Sequence, residues 1–157
     1  MRWWLAVLLL CSCGGRVFED DPTTDCNEAN EGCGPVDCDG EGERMLPGSD
    51  CLGCHSAGEI DDSDLVYNLA GTLFADADGT APLEGARIRI TDAEDQLITL
   101  SSNEVGNFWS RRTLVFPAEV EVEVDGDVVS MVEPLQQGSC NTCHACDGKA
   151  EAKLHGP

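Results

Sequence analysis

Two stretches, SDCLGCHSAG and GSCNTCHACDG, each contain Cys-x-x-Cys-His, at Cys51–His55 and at Cys140–His144. The chain holds ten cysteines and three histidines in 157 residues. At that cysteine content a given histidine follows Cys-x-x-Cys by chance about 0.4% of the time, the square of the cysteine fraction. Here two of the three histidines do so. Two thiols separated by two residues can add across the two vinyl groups of one porphyrin edge, and the histidine that follows is then placed to ligate the iron. The pattern therefore predicts two covalent c-type haems. Cys51, Cys54, Cys140 and Cys143 would attach them, and His55 and His144 would bind the irons.

The sixth iron position has few candidates. Outside the N-terminal apolar segment the methionines are Met45 and Met131, and the remaining histidine is His155. Methionine ligation raises a haem potential and a second histidine lowers it. Met131 has a competing role as strand packing, since a lone methionine on a β-face commonly fills core. Lysine and water remain alternatives. Zinc is the competing cofactor: two Cys-x-x-Cys pairs supply four thiolates, with the histidines as spare ligands. The separation of 89 positions from Cys51 to Cys140 is long for a compact zinc ribbon. Disulfides within each pair would leave both histidines unexplained, and a thioredoxin-like role would need a βαβ setting that the sequence lacks.

The N-terminus, MRWWLAVLLLCSCGG, has one base, a short apolar run and then small residues and cysteine. The run is too short to span a bilayer and matches a secretory segment. Its end resembles the bacterial lipoprotein signal, with Leu10 three residues before Cys13 and Ser12 immediately before it. That resemblance implies cleavage after residue 12, lipidation of Cys13 and export to the bacterial cell envelope, membrane-anchored and facing the periplasm or cell surface. An ordinary signal peptide is the alternative. With Cys11 removed, Cys13 lipidated and both motifs assigned, Cys26, Cys33, Cys38 and Cys146 remain. Four cysteines in an oxidising compartment suit two disulfides, with three possible connectivities.

The formal net charge is −21, from 30 acids against 9 bases. Between Glu19 and Asp64 there are 15 acids and one base, Arg44. Such a segment repels itself and buries little apolar surface, so residues 13–44 read as a disordered acidic arm. The charge excludes nucleic acid and calls for a basic face on any charged protein partner. Two Asp-Gly segments, Asp76–Thr80 and Asp37–Glu43, superficially resemble calcium loops. Neither completes the twelve-residue pattern, and a β-turn accounts for both. Arg111 and Arg112 could meet haem propionates or simply decorate a strand face.

Between the motifs the chain reads as β-structure. Short strands are predicted at 66–76, 85–91, 96–101, 107–113, 118–124 and 127–132, separated by turn-forming clusters. The strict alternation of EVEVEV puts valines on one face and glutamates on the other. Six or seven strands at this spacing predict a small Greek-key β-sandwich flanked by irregular segments that carry the Cys-x-x-Cys-His motifs, with one short helix allowed in the tail near KAEAKLH. The segment AGTLFADADGTAPLEGARIRITDAEDQLITLSSNEVGNFWSR resembles the carboxypeptidase regulatory-like, prealbumin-type sandwich. Gly71, PLEGARI and the SNEVGNF turn carry that resemblance over about Leu65 to Val132. It implies a compact module without catalytic residues. A sandwich flanked by two Cys-x-x-Cys-His motifs is also similar to exported bacterial haem-binding proteins, from which the short tail with its extra His155 departs.

These readings divide the chain into a signal (1–12), an acidic linker (13–44), a first motif segment (45–64), a β-sandwich (65–133) and a second motif segment with tail (134–157). No nucleophile, base and orienter assemble from the available residues, so an enzyme is not expected. The leading expectation is a membrane-anchored dihaem carrier that exchanges electrons with a redox partner protein. The alternative is a surface lipoprotein whose sandwich binds a partner while zinc or disulfides staple its ends.

Overall fold

The computed structural model describes residues 42–145, 148–150 and 152–157. The signal segment, Cys13, Cys26, Cys33, Cys38 and Cys146 lie outside those residues, so the lipidation and disulfide expectations fall there too. Six strands form within the predicted stretches: β1 (Leu69–Thr72), β2 (Arg87–Thr91), β3 (Leu97–Ser101), β4 (Asn107–Ser110), β5 (Glu119–Val124) and β6 (Asp127–Ser130). All pairings are antiparallel. One sheet has the order β3-β2-β5-β6, and the other is the pair β1-β4.

The alternation in the sequence dictates the large sheet. Ile88 and Ile90 lie opposite Val122 and Val120 on β5, and opposite Leu100 and Ile98 on β3. The same register puts Arg87 opposite Glu123 and Arg89 opposite Glu121 on the other face. Arg89 forms ion pairs with both glutamates, at 3.0 and 2.5 Å. The inner face meets Leu69, Leu73 and Phe108 from around the small sheet in one core. Each aliphatic side chain buried there contributes about 1.5–3 kcal/mol. Beyond β5, the edge strand β6 is exposed along its length.

Two turns frame the sheets. The Asp92 carboxylate is buried and accepts the backbone N–H groups of Glu94, Gln96 and Val115 at 2.9–3.1 Å. This ties the β2–β3 turn to the segment before β5. Asn103 Oδ1 accepts from Val105 and Asn107, closing the turn into β4. Gly106 in that turn has φ +81°, and a Cβ there would lie 2.2 Å from the Leu73 carbonyl oxygen. Both constraints require glycine.

β1 is buried at all four positions, because it is enclosed on more sides than a two-stranded sheet provides. β4 pairs with one edge. On the other edge Ala70 N–H donates to the Gly138 carbonyl, and a Cβ on Gly138 would stand 1.9 Å from the Asn68 oxygen. Residues 43–50 cover the outer face. Gly48 N–H donates to the Thr72 hydroxyl, and Asn107 Nδ2 donates to the Glu43 and Met45 carbonyls.

The tail differs from the expected helix. Among the described residues of 148–157 none is helical. Phe74 N–H donates to the Leu154 carbonyl, and Gly156 N–H donates to the Phe74 carbonyl. KAEAKLH has helix-forming composition, but the edge at Phe74 offers unpaired backbone groups and a place to bury Gly156 against Leu83 and Val124. Tertiary pairing overrides the local preference.

Candidate functional site

The Cys-x-x-Cys segments depart from the irregular flanks expected from sequence, and each makes one helical turn. These are α1 (Cys51–Cys54) and α2 (Cys140–Cys143). In both, the histidine N–H closes the turn onto the first cysteine carbonyl, at 2.8 Å for His55 and 3.0 Å for His144. Helical residues three apart share a face. Each turn therefore presents its two sulfurs on one side with a histidine at its end. Cys51, Cys54 and Cys140 carry free thiols.

The first turn is ordered around His55, which is 9% exposed. His55 Nδ1 lies 2.9 Å from the Leu65 carbonyl oxygen. A carbonyl can only accept, so the proton sits on Nδ1 and the Nε2 lone pair is left for a ligand. The ring stacks on Tyr67, with centroids 4.7 Å apart and planes 17° apart. Tyr67 in turn stacks on Trp109 of β4 at 5.9 Å. Tyr67 N–H also donates to the His55 carbonyl at 2.7 Å. A short 3₁₀ turn, Ser63–Leu65, brings the Leu65 carbonyl into place.

The second turn is built differently. Cys140 is 8% exposed and packs in the core, against β1 where Gly71 leaves room. A Cβ on Gly71 would lie 2.8 Å from Cys140 Cβ and 2.8 Å from Phe108 Cζ. His144 Nδ1 is buried without a hydrogen-bond partner, whereas His55 Nδ1 faces the Leu65 carbonyl. Burial pushes the His144 pKa down. The Ala152 carbonyl opposes that shift, and the nearby charge of His155 adds to it.

The two turns adjoin although 89 residues separate them. Their N-cap residues, Asp50 and Ser139, do not cap their own helices. Instead the Ser139 hydroxyl donates to the Asp50 carboxylate at 2.5 Å. Asn141, inside the second motif, donates to the Ser49 carbonyl at 2.7 Å. Burial and the Asp50 charge push the Cys51 pKa up to about 11. Burial, then the Cys51 charge, pushes Cys140 up to about 12. Both first cysteines are therefore neutral thiols in the folded chain near neutral pH.

The other candidate ligands are scattered. Met45 is half-buried in the loop over β1, and its carbonyl accepts from Asn107. Met131 packs partly buried against the core, the packing role weighed for it from sequence. His155 is exposed on the tail, with Nδ1 2.9 Å from the Gly156 oxygen. Arg111 forms an ion pair with Asp64 at 3.0 Å. In the Asp76–Thr80 loop Asp76 accepts the Asp78 and Thr80 N–H groups within the turn itself.

The donor set fits haem attachment at the first turn, where thiols, histidine orientation and tautomer all agree. At the second turn the thiols and the histidine are present, but His144 Nδ1 has no hydrogen-bond partner. Among the described residues no three histidine, cysteine, aspartate or glutamate side chains converge as a tetrahedral metal site needs. No described helix is long and apolar enough to cross a membrane.

Thr72, Asn107, Ser139 and Asn141 were not singled out by the sequence. Short polar residues in a strand or inside a Cys-x-x-Cys spacer carry no periodic signal, and only the fold places them together. No family model, curated protein or solved structure matches the chain.

Proposed function

We propose that this protein is a dihaem c-type electron carrier, exported and lipid-anchored through Cys13 to the bacterial cell envelope. The observation that carries this reading is the identical backbone construction of two separate Cys-x-x-Cys-His turns, one of them with its histidine oriented for a ligand at Nε2. Haem, when bound, supplies reversible one-electron storage at iron. Cys51 with Cys54, and Cys140 with Cys143, would hold the porphyrin edges, and His55 and His144 would supply the axial nitrogens.

The chain's own part is to orient and shield. The Leu65 carbonyl fixes the His55 tautomer, and a hydrogen-bonded imidazole is a more basic ligand. Tyr67 and Trp109 keep the ring plane in place. The strands would form a Greek-key sandwich of the carboxypeptidase regulatory-like type, supported by the shared core and by the Asp92 and Asn103 turns. The charge of −21 favours a redox partner with a basic face.

Paired cysteine variants test the reading in a host with c-type maturation machinery. Cys51→Ser/Cys54→Ser and Cys140→Ser/Cys143→Ser should each lower the covalent haem count from two to one. Protein that stays colourless and folded, with or without zinc, favours the surface-lipoprotein alternative.

A further inference from the structure

The contact between the two turns runs through a closed set of buried polar groups. The Thr72 hydroxyl donates to Asn107 Oδ1 at 2.7 Å and accepts from Gly48 N–H at 2.8 Å and from Asn141 Nδ2 at 3.3 Å. Its one proton and both lone pairs are used. Asn141 accepts the Thr72 backbone N–H on Oδ1 at 3.1 Å and donates through Nδ2 to the Ser49 carbonyl and to Thr72. Asn107 donates through Nδ2 to the Glu43 and Met45 carbonyls. Asn141 is 4% exposed, Asn107 is 7% and Thr72 is fully buried.

Such a network has one low-energy arrangement. Shifting either turn would strand buried donors and acceptors, each costing about 1–3 kcal/mol. An apolar contact of the same area would tolerate sliding, whereas this one specifies position. The groups it joins are the leader of the first motif (residues 43–49), the strands β1 and β4, and the spacer of the second motif. Asp50 and Ser139 add a contact between the two turns themselves.

We propose that Asn141, with Thr72 and the Asp50–Ser139 contact, is a positioning device that locks the two Cys-x-x-Cys-His turns into one fixed placement, so that their haems work as a coupled pair. This rests on the dihaem reading for the coupling, though the clamp belongs to the chain alone. Two charged centres held close titrate together, so reducing one haem would make reduction of the other less favourable.

Circular dichroism in the Soret region of the matured full chain tests this, with intact mass giving the haem count. The native protein should show a bisignate couplet. Asn141→Leu should abolish it with both haems retained, and the milder Ser139→Ala should shrink it. Arg87→Ala, on the outer face of the large sheet, should leave it unchanged. Two haems without a couplet in the native protein, or a couplet that survives both Asn141→Leu and Ser139→Ala, overturns the coupled pair but spares the dihaem reading. If no haem is attached, the dihaem reading fails and the clamp is read on the thiols. A short bismaleimide should then bridge a cysteine of one motif to a cysteine of the other, by peptide mapping, and Asn141→Leu should remove the bridge. Absence of the bridge in the native chain overturns the clamp.

Discussion

The Ser139 hydroxyl donates to the Asp50 carboxylate at 2.5 Å and also lies 2.7 Å from the Thr142 hydroxyl. The two N-cap residues thus bond each other, and neither caps the backbone of its own turn. Ser139→Ala removes both contacts from a site only 8% exposed. It should lower unfolding stability by about 1–2 kcal/mol. A shift of the urea midpoint at constant slope reads this directly. An unchanged midpoint would mean that the two turns do not depend on the contact.

Gly71 sets how closely the second turn approaches β1. Gly71→Ala puts a methyl 2.8 Å from Cys140 Cβ and 2.8 Å from Phe108 Cζ. Overpacking of this kind costs about 1–3 kcal/mol. The variant should be less stable, and its haem loss should fall on the second motif and not on the first. Peptide mapping of the haem-bearing fragments distinguishes the two.

Asp92 gives the fold an acid limit. Three backbone N–H groups, the Val115 contribution being the largest, hold its pKa below the ordinary value of 3.8. A depressed carboxylate pKa stabilises the fold fully above the unfolded value. That stabilisation falls away as the pH drops below 3.8 and through the folded-state pKa. Asp92→Asn should therefore be less stable than the native chain at neutral pH, with the difference narrowing towards low pH. Thermal unfolding followed from neutrality down to strong acid checks the sign.

Thiol access should differ within each motif. In protein made without haem, Cys54 is exposed, whereas Cys140 is buried and its pKa is raised to about 12. Iodoacetamide acts on thiolates. Cys54 should be alkylated first among these four, and Cys140 only on unfolding. On the dihaem reading, the same burial would require attachment at Cys140 before its turn docks onto β1. Rapid labelling of Cys140 in the native fold would contradict that order.

The strands were legible because their physics is local. Alternation in RIRIT and EVEVEV fixes which face is buried, and Asp-Gly and Asn-Glu-Val-Gly mark the turns. The motifs were legible as candidate chemistry because their thiol and imidazole spacing is the one a porphyrin edge would require. Their adjacency was not legible, since it depends on both turns packing against β1 far along the chain, and the signals for it are small. Gly138 reads from sequence as an ordinary glycine and Gly71 only as part of the sandwich resemblance, yet each marks a close approach. Asn141 reads as a spacer residue. The tail shows the opposite failure: a helix-forming composition lost to the backbone edge at Phe74.

The central claim is covalent attachment of two haems, and a pyridine haemochrome spectrum before and after acid–acetone extraction measures it most directly. Protein matured in a c-type-competent host is predicted to keep two haems per chain through extraction, with intact mass confirming both. A chain that loses all its colour on extraction, or was never coloured, would contradict the account.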